Sequence, residues 1–247
     1  REEYNRLKKL DLNLENQNYF IEVCRKYKVK PMTTIFSLNR IKELDKLNFD
    51  VFKVASFDCS SFKLIKQLTK TKKKLIISTG GTYLREIKET AKILNKLKKK
   101  FTFLHCVSIY PTPLEEANLS RIKLLKKYTK SVGISDHSSP EKHGNDFSLA
   151  AILYGATTIE RHFTILKKNQ TKDGVVSVNF NQLKSLVIQA RKNKKEIKNI
   201  FKKKDNLLKK MYGNPFRELS ESELLNRDYY KGRFAMKYNK DKIIYNW

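Results

Sequence analysis

Residues 131–137, Ser-Val-Gly-Ile-Ser-Asp-His, and residues 156–163, Ala-Thr-Thr-Ile-Glu-Arg-His-Phe, decide how this chain is read. Each is a short apolar run that closes on a histidine, His137 in the first and His162 in the second. Residues 131–134 and 156–159 read as buried strands. Polar residues massed just beyond the carboxyl ends of parallel strands are where α/β folds place their chemistry. Two neutral imidazoles meeting there make a metal site with open coordination positions. The plain alternative is two core histidines, each satisfied by a neighbour. The acids and hydroxyls on both strand ends favour the metal reading.

Working outward, the same alternation runs through the chain. Apolar runs at 30–34, 51–55, 75–78, 102–106, 131–134 and 157–159 alternate with helical stretches at 38–47, 62–71, 84–97, 119–128 and 147–154. A helix at 16–27 precedes the first strand, and one helix over 182–201 follows the last. Repeated strand-then-helix units imply a parallel sheet with right-handed crossovers. An open dinucleotide-binding sheet also holds six strands, but no Gly-rich fingerprint follows a strand, and Gly80-Gly81 reads as a turn.

Every strand end carries polar groups. Thr33 and Thr34 end the first, Lys53 and Ser56 with Asp58 mark the second, and Ser78 and Thr79 end the third. His105, Ser108 and Tyr110 follow the fourth, Ser135 to His137 the fifth, and Glu160 to His162 the sixth. Six such ends in a row imply a shared polar mouth suited to a phosphate or carboxylate ligand. Lys53 sits in the apolar run Val51-Phe52-Lys53-Val54-Ala55, which favours an inward functional lysine over a snorkelling surface one. Tyr110-Pro111-Thr112-Pro113 fixes an extended loop, because each proline restrains its predecessor, and that rigidity can present Tyr110 to a substrate.

The 247 residues, 40% of them hydrophobic, suffice for one large domain. Neither a signal peptide nor a membrane span is expected, because these residues hold no apolar run of the required length. Cys24, Cys59 and Cys106 are widely spaced, which argues against a disulfide framework or zinc ribbon and fits a reducing cytoplasm. Cys106 reads as core. The net charge of +28 comes mainly from lysines scattered at helix ends and loops, as in 72–74, 98–100 and 202–204. No nucleic-acid motif accompanies them, so neither a specific nucleic-acid partner nor a membrane is expected, only weak attraction of anionic substrates.

The motifs themselves carry a resemblance. His105-Cys106-Val107-Ser108-Ile109-Tyr110-Pro111-Thr112-Pro113 resembles the HCxSxYPTP signature of N-acetylneuraminate (sialic acid) synthases. Gly133-Ile134-Ser135-Asp136-His137 resembles their G-[LI]-S-D-H segment, and Glu160-Arg161-His162-Phe163-Thr164 their E-[KR]-H-F-T segment. Phe52-Lys53-Val54-Ala55-Ser56 and Ile77-Ser78-Thr79-Gly80 match in order as well, so the likeness runs from about Cys24 to Val187. It does not choose among sialic, legionaminic and pseudaminic acid synthases.

The resemblance implies a (β/α)₈ barrel enzyme of the transferase class. Such enzymes condense phosphoenolpyruvate with an N-acetylated amino sugar, N-acetylmannosamine or a relative, to a nine-carbon sugar acid and phosphate. It places His137 and His162 on the ligands of a divalent ion, typically Mn²⁺, with Mg²⁺ or Co²⁺ as alternatives. Lys53, Ser56, Ser78, Ser108 and Ser135 fall on phosphoenolpyruvate-binding positions, and His137, His162 and Lys53 on catalytic ones. Thr34 matches a further ligand contact, and Tyr110 and Asp173 fall on sugar-binding positions. Asp58 stands at the acid of the family's Ser-Gly-Glu/Asp segment and counts as substrate-binding, although Phe57 replaces the glycine. Thr34-Ile35-Phe36 departs from a Thr-Pro-Phe pattern, and Thr171-Lys172-Asp173 from Gly-Pro-Asp. The loop 137–146 is longer than usual, with His143 expected to be exposed rather than a third ligand.

The family's first two strands, with a Glu and a further Lys, fall before Arg1. The expectation is therefore an N-terminally truncated barrel with about six of eight units, spanning 1–203, then a linker region at 204–232. Residues 233–247 resemble the start of a C-terminal antifreeze-like domain, which in the family reaches into the partner of a homodimer. On this reading the chain alone is inactive. The alternatives are another phosphoenolpyruvate-dependent 3-deoxy-sugar acid synthase and a non-catalytic ligand-binding barrel.

Overall fold

The computed structural model describes residues 2–233, 235–239 and 242–245. Six strands form one parallel sheet: β1 (Met32–Thr34), β2 (Val51–Val54), β3 (Lys74–Ser78), β4 (Phe101–Cys106), β5 (Val132–Asp136) and β6 (Ile159–Arg161). Their spatial order is their sequence order. A doubly wound sheet reverses order at a switch point, so unbroken sequential order means a sheet wound in one direction, as in a barrel wall. A single parallel bridge, Phe163 to Val178, continues the wall beyond β6.

Strand parity separates two chemistries. Phe52, Val54, Leu75, Ile77, Phe103, Val132 and Ile134 belong to one buried apolar cluster with Leu64, Ile65, Leu68, Ile87, Leu94, Ile122, Leu125 and Phe147 from the covering helices. Successive strand residues face opposite sides, so the intervening Lys53, Ser78, Cys106 and Ser135 turn to the other face. Each large apolar side chain buried between sheet and helices stabilises the fold by roughly 1.5–3 kcal/mol. The inner side is crowded too: a Cβ on Gly133 would lie 2.7 Å from Thr158 Cβ and 2.8 Å from Leu104 Cδ2.

The expected strands are all present, with the sixth displaced to Ile159–Arg161 rather than 157–159. The single helix expected over 182–201 is two, Phe180–Ala190 and Lys194–Ile200. Asn193 causes the break: its side chain accepts from the Glu196 amide while Glu196 accepts from the Asn193 amide, each at 3.0 Å. That reciprocal cap starts a new helix. The helix expected at 119–128 shortens to Arg121–Leu125. His143 is half-buried on a short helix, Pro140–His143, inside what was read as a loop.

Residues 204–232 contribute two helices, Asp205–Tyr212 and Glu221–Arg233. The first docks through backbone bonds from Leu119 and Ser120 amides to Met211 and Tyr212 carbonyls, both 2.8 Å. Of the segment read as the start of another domain, Phe234 and Asp241 lie outside the described residues. Within it β7 (Ala235–Asn239) and β8 (Lys242–Tyr245) pair antiparallel. No described helix is long and apolar enough to cross a membrane.

Candidate active site

The ends of β5 and β6 are locked in register, Ser135 opposite Glu160 and Asp136 opposite Arg161. On the outer side Asp136 and Arg161 form an ion pair with side chains 1% and 4% exposed. Ser138 donates to Asp136 Oδ1 through its amide at 2.9 Å and hydroxyl at 2.7 Å, and Ser148 Oγ donates to Oδ2 at 2.6 Å. A buried pair with its remaining lone pairs satisfied holds its geometry firmly. Parity then sends Ser135, His137, Glu160 and His162 inward. His162 is steadied by its own carbonyl, which accepts from the Val178 amide at 2.8 Å.

The imidazoles of His137 and His162 face each other, ring centres 5.3 Å apart at 63°. Two imidazoles sharing an ion through bonds of about 2.0–2.2 Å have ring centres no more than about 6.5 Å apart. His137 Nδ1 donates to the Val107 carbonyl at 3.2 Å. That contact places the proton on Nδ1 and leaves the Nε2 lone pair facing the mouth, where Tyr110 OH lies at 3.0 Å. A backbone carbonyl is the usual outer partner of a metal-binding histidine. Burial holds His137 below the ordinary histidine pKa. Burial, and then the neighbouring His137, do the same for His162. Both rings are therefore neutral at physiological pH, the form that binds metal. Asp173 Oδ2 is 3.7 Å from His162 Nδ1. Among the described residues no group of three or more His, Cys, Asp and Glu side chains forms a ready ligand cage. The pair suits an ion whose other positions go to water and substrate oxygens.

Beside the histidines Lys53 and Glu160 stand in a cluster of hydroxyls. Lys53, 6% exposed, donates to Ser78 Oγ at 2.8 Å and sits 3.5 Å from Glu160 Oε1. Glu160 Oε1 in turn accepts from Ser135 Oγ at 2.7 Å, and Ser135 Oγ is 3.2 Å from His137 Nε2. One chain of contacts thus joins Lys53 to the histidine pair. Ser56 Oγ lies 3.4 Å from Cys106 Sγ, and Ser108 Oγ 3.9 Å from the same sulfur. Gly80 is required at their centre: a Cβ there would overlap Ser108 Oγ, meet Cys106 Sγ at 2.7 Å and Ser56 Oγ at 3.0 Å. Small residues at such a place let a ligand approach backbone and hydroxyls closely.

Of the residues singled out by sequence, the structure brings together Lys53, Ser78, Ser135, His137, His162, Tyr110 and Asp173, with Ser56 and Ser108 grouped around Cys106. Thr34 stands opposite Lys53 in the β1–β2 register and lines a cleft beside β1 with Gln17, Phe36 and Asn39. Asp58 is sealed inside, with neither carboxylate oxygen hydrogen-bonded. Glu160 was visible only as part of a polar strand end; its two-residue spacing from His162, which parity places on one face, was the available signal. Cys106, read as core, is buried but lies among the mouth hydroxyls. Gly80, read as a turn, is the pocket's floor.

Two buried groups give the fold opposite pH slopes. His105 takes a proton at about 3, because burial disfavours its charge, against about 6.5 in an unfolded chain. Its stabilisation is whole above 6.5 and is lost as pH falls from 6.5 toward 3. Desolvation raises Asp58 to about 7 from 3.8. Its contribution is whole below 3.8 and is lost as pH rises through 7. Asp58→Asn should therefore lose less stability than the wild type between about pH 5 and about pH 8, by up to about 3 kcal/mol. Denaturant unfolding at the two pH values measures this, and parallel losses in both proteins contradict it.

The family model described as NeuB family matches residues 1–202. The chain belongs to the NeuB family. It is 34% identical over 201 residues to the N,N'-diacetyllegionaminic acid synthase of Campylobacter jejuni, covering 80% of this chain and 59% of that protein. It is 32% identical to the pseudaminic acid synthase of Helicobacter pylori, covering 74% of this chain and 54% of that one. The chain thus spans little more than half the length of these NeuB relatives. Among solved structures, the N-acetylneuraminic acid synthetase of Leptospira borgpetersenii, in complex with citrate, superposes with a TM-score of 0.67 at 27% identity. That superposition covers 89% of this chain and 70% of the other. The named NeuB relatives are sugar acid synthases, and the six parallel strands of this chain form a barrel-like wall.

Proposed function

We propose that this protein carries the phosphoenolpyruvate- and metal-binding wall of a nine-carbon sugar acid synthase. The observation that supports it is the continuous contact chain from Lys53 through Glu160 and Ser135 to His137, beside His162. It puts an anion pocket and a pair of neutral imidazoles at one mouth. Lys53 with Ser78, and Ser56 with Ser108 around Gly80, would hold the phosphate and carboxylate of phosphoenolpyruvate. Preorganised donors of this kind stabilise charge that shifts during reaction.

The substrate sugar would enter as the open aldehyde beside Tyr110 and Asp173. His137 and His162 would hold a divalent ion, best Mn²⁺, which supplies Lewis acidity toward the aldehyde oxygen. The enol carbon C3 attacks the aldehyde carbon, forming the new C–C bond as the C=O π bond opens and its oxygen takes a proton, and leaving positive character at C2. Water adds at C2 and gives up one proton; the new C2 hydroxyl then gives its proton to the departing phosphate as the C2–O bond breaks, leaving the C2 ketone. Glu160, between Lys53 and Ser135, is the carboxylate placed to take the water's proton. Burial raises the Tyr110 phenol pKa, so it serves as a neutral hydrogen-bond donor rather than a base.

Calorimetry of the protein with phosphoenolpyruvate and MnCl₂ tests the reading, followed by phosphate release and mass spectrometry with N-acetylmannosamine and related amino sugars. Phosphoenolpyruvate binding that strengthens with Mn²⁺ is expected. No binding of either, or turnover confined to phosphorylated aldoses, would overturn it. Identity to legionaminic and pseudaminic acid synthases is nearly equal, so the sugar is left to the assay.

A further inference from the structure

The helix Glu221–Arg233 lies over the pocket walls and grips three of them in sequence. Glu223 Oε1 accepts from the Ser108 amide at 3.0 Å, at the loop after β4. Arg227 donates to the Gly81 carbonyl at 2.7 Å, at the loop after β3, and to Glu86 Oε1 at 2.5 Å. Tyr230 stacks on Phe57, at the loop after β2, with ring centres 4.6 Å apart and planes 16° from parallel. Residues 223, 227 and 230 follow an i, i+4, i+7 spacing, so all three contacts come from one face of the helix. Each contact is made on, or one residue from, a side of the anion pocket: Ser108, Gly80 and Ser56. Phe57 is the residue standing where the related signature has glycine, and its ring both meets Tyr230 and closes on Gly81, whose Cβ position lies 2.6 Å from it.

Glu223 is itself fixed. It is fully buried, takes both guanidinium nitrogens of Arg217 at 2.5 and 2.7 Å, and accepts from the Ser220 amide at 3.2 Å. Burial would raise its pKa, but Arg217 with the Ser108 and Ser220 amides outweighs burial and holds it low, so it stays an acceptor. A helix needed only to cover apolar surface has no use for three polar or aromatic contacts aimed at three separate loops.

We propose that this helix is a strap that sets the shape of the anion pocket, with Glu223 as the positioning residue for Ser108 and the Phe57–Tyr230 stack as its fastening. The inference rests on the phosphoenolpyruvate reading of that pocket. Glu223 holds the peptide whose carbonyl, Val107, accepts from His137 Nδ1, whereas the Phe57–Tyr230 stack lies at the loop after β2, so loosening that stack should weaken anion binding more than metal binding.

The test uses the full chain and four proteins: wild type, Glu223→Ala, Glu223→Gln and Tyr230→Ala. Phosphoenolpyruvate and Mn²⁺ affinities are measured separately by calorimetry, and amide hydrogen exchange is followed at Ser108. Glu223→Ala should weaken phosphoenolpyruvate binding about tenfold, the worth of one buried hydrogen bond, speed Ser108 exchange, and weaken Mn²⁺ binding as well, because the freed peptide carries the Val107 carbonyl that orients His137. Glu223→Gln keeps an acceptor for the Ser108 amide and should restore most of the loss. Tyr230→Ala, which leaves the buried Arg217–Glu223 pair alone, should weaken phosphoenolpyruvate binding by less, with Mn²⁺ affinity changed by less than about twofold. Unchanged anion affinity in Glu223→Ala and Tyr230→Ala overturns the strap, as does equal loss of anion and metal binding in Tyr230→Ala. A wild type that binds no phosphoenolpyruvate refutes the pocket's assignment. In that case unchanged Ser108 exchange in Glu223→Ala refutes the positioning contact as well.

Discussion

His137→Ala lowers affinity for Mn²⁺ by at least about 100-fold, more than the loss that outer-partner changes alone produce. The reason is geometric. His137 presents the Nε2 lone pair because Val107 holds its other nitrogen, and with His162 it supplies the two imidazoles of the site, 5.3 Å apart. An alanine leaves one imidazole, half the nitrogen set, with no described third ligand to replace it. Calorimetric titration with MnCl₂ at about pH 7.5 measures the effect. His162→Ala should behave alike, while His143→Ala, on a short helix away from the strand ends, should leave the affinity unchanged. Full Mn²⁺ affinity in His137→Ala would mean that the histidines are core residues satisfied by their neighbours.

On the proposed reading, Lys53→Met should raise the requirement for phosphoenolpyruvate by up to about 100-fold, the worth of a charge-assisted hydrogen bond to a buried anion. Lys53 is the inward cation of this pocket, fixed by Ser78 at 2.8 Å and facing Glu160 at 3.5 Å. Methionine keeps the length and the apolar stem but removes the charge, so folding is spared more than with alanine. The amino-sugar requirement should shift less than about threefold, because the proposed reading puts the sugar toward Tyr110 and Asp173. Binding titrations with each substrate separate the two. Equal shifts for both would place Lys53 outside the anion pocket.

Much of this was legible in the residues. Alternating apolar runs and helical stretches identified all six strands, because a parallel strand buried on both faces is read locally. The His137 and His162 motifs placed both rings at one mouth because strand parity is a short-range property. The break at Asn193 is legible as well, in the Asn-x-x-Glu pattern of 193–196, although the apolar periodicity over 182–201 runs on across it.

The sequence by itself determined which segments are strands and which are helices, the inward direction of Lys53, and the identity of the two imidazoles. All of these follow from periods of two and about 3.6 residues that the chain carries within a few positions. Only the tertiary structure decided that Glu160 bridges Lys53 and Ser135, that Gly80 must lack a side chain because Ser56, Cys106 and Ser108 crowd it, and that Glu223 reaches Ser108 across 115 positions of chain. Those contacts depend on how far the sheet curls and where a distant helix comes to rest, and no local periodicity carries that distance.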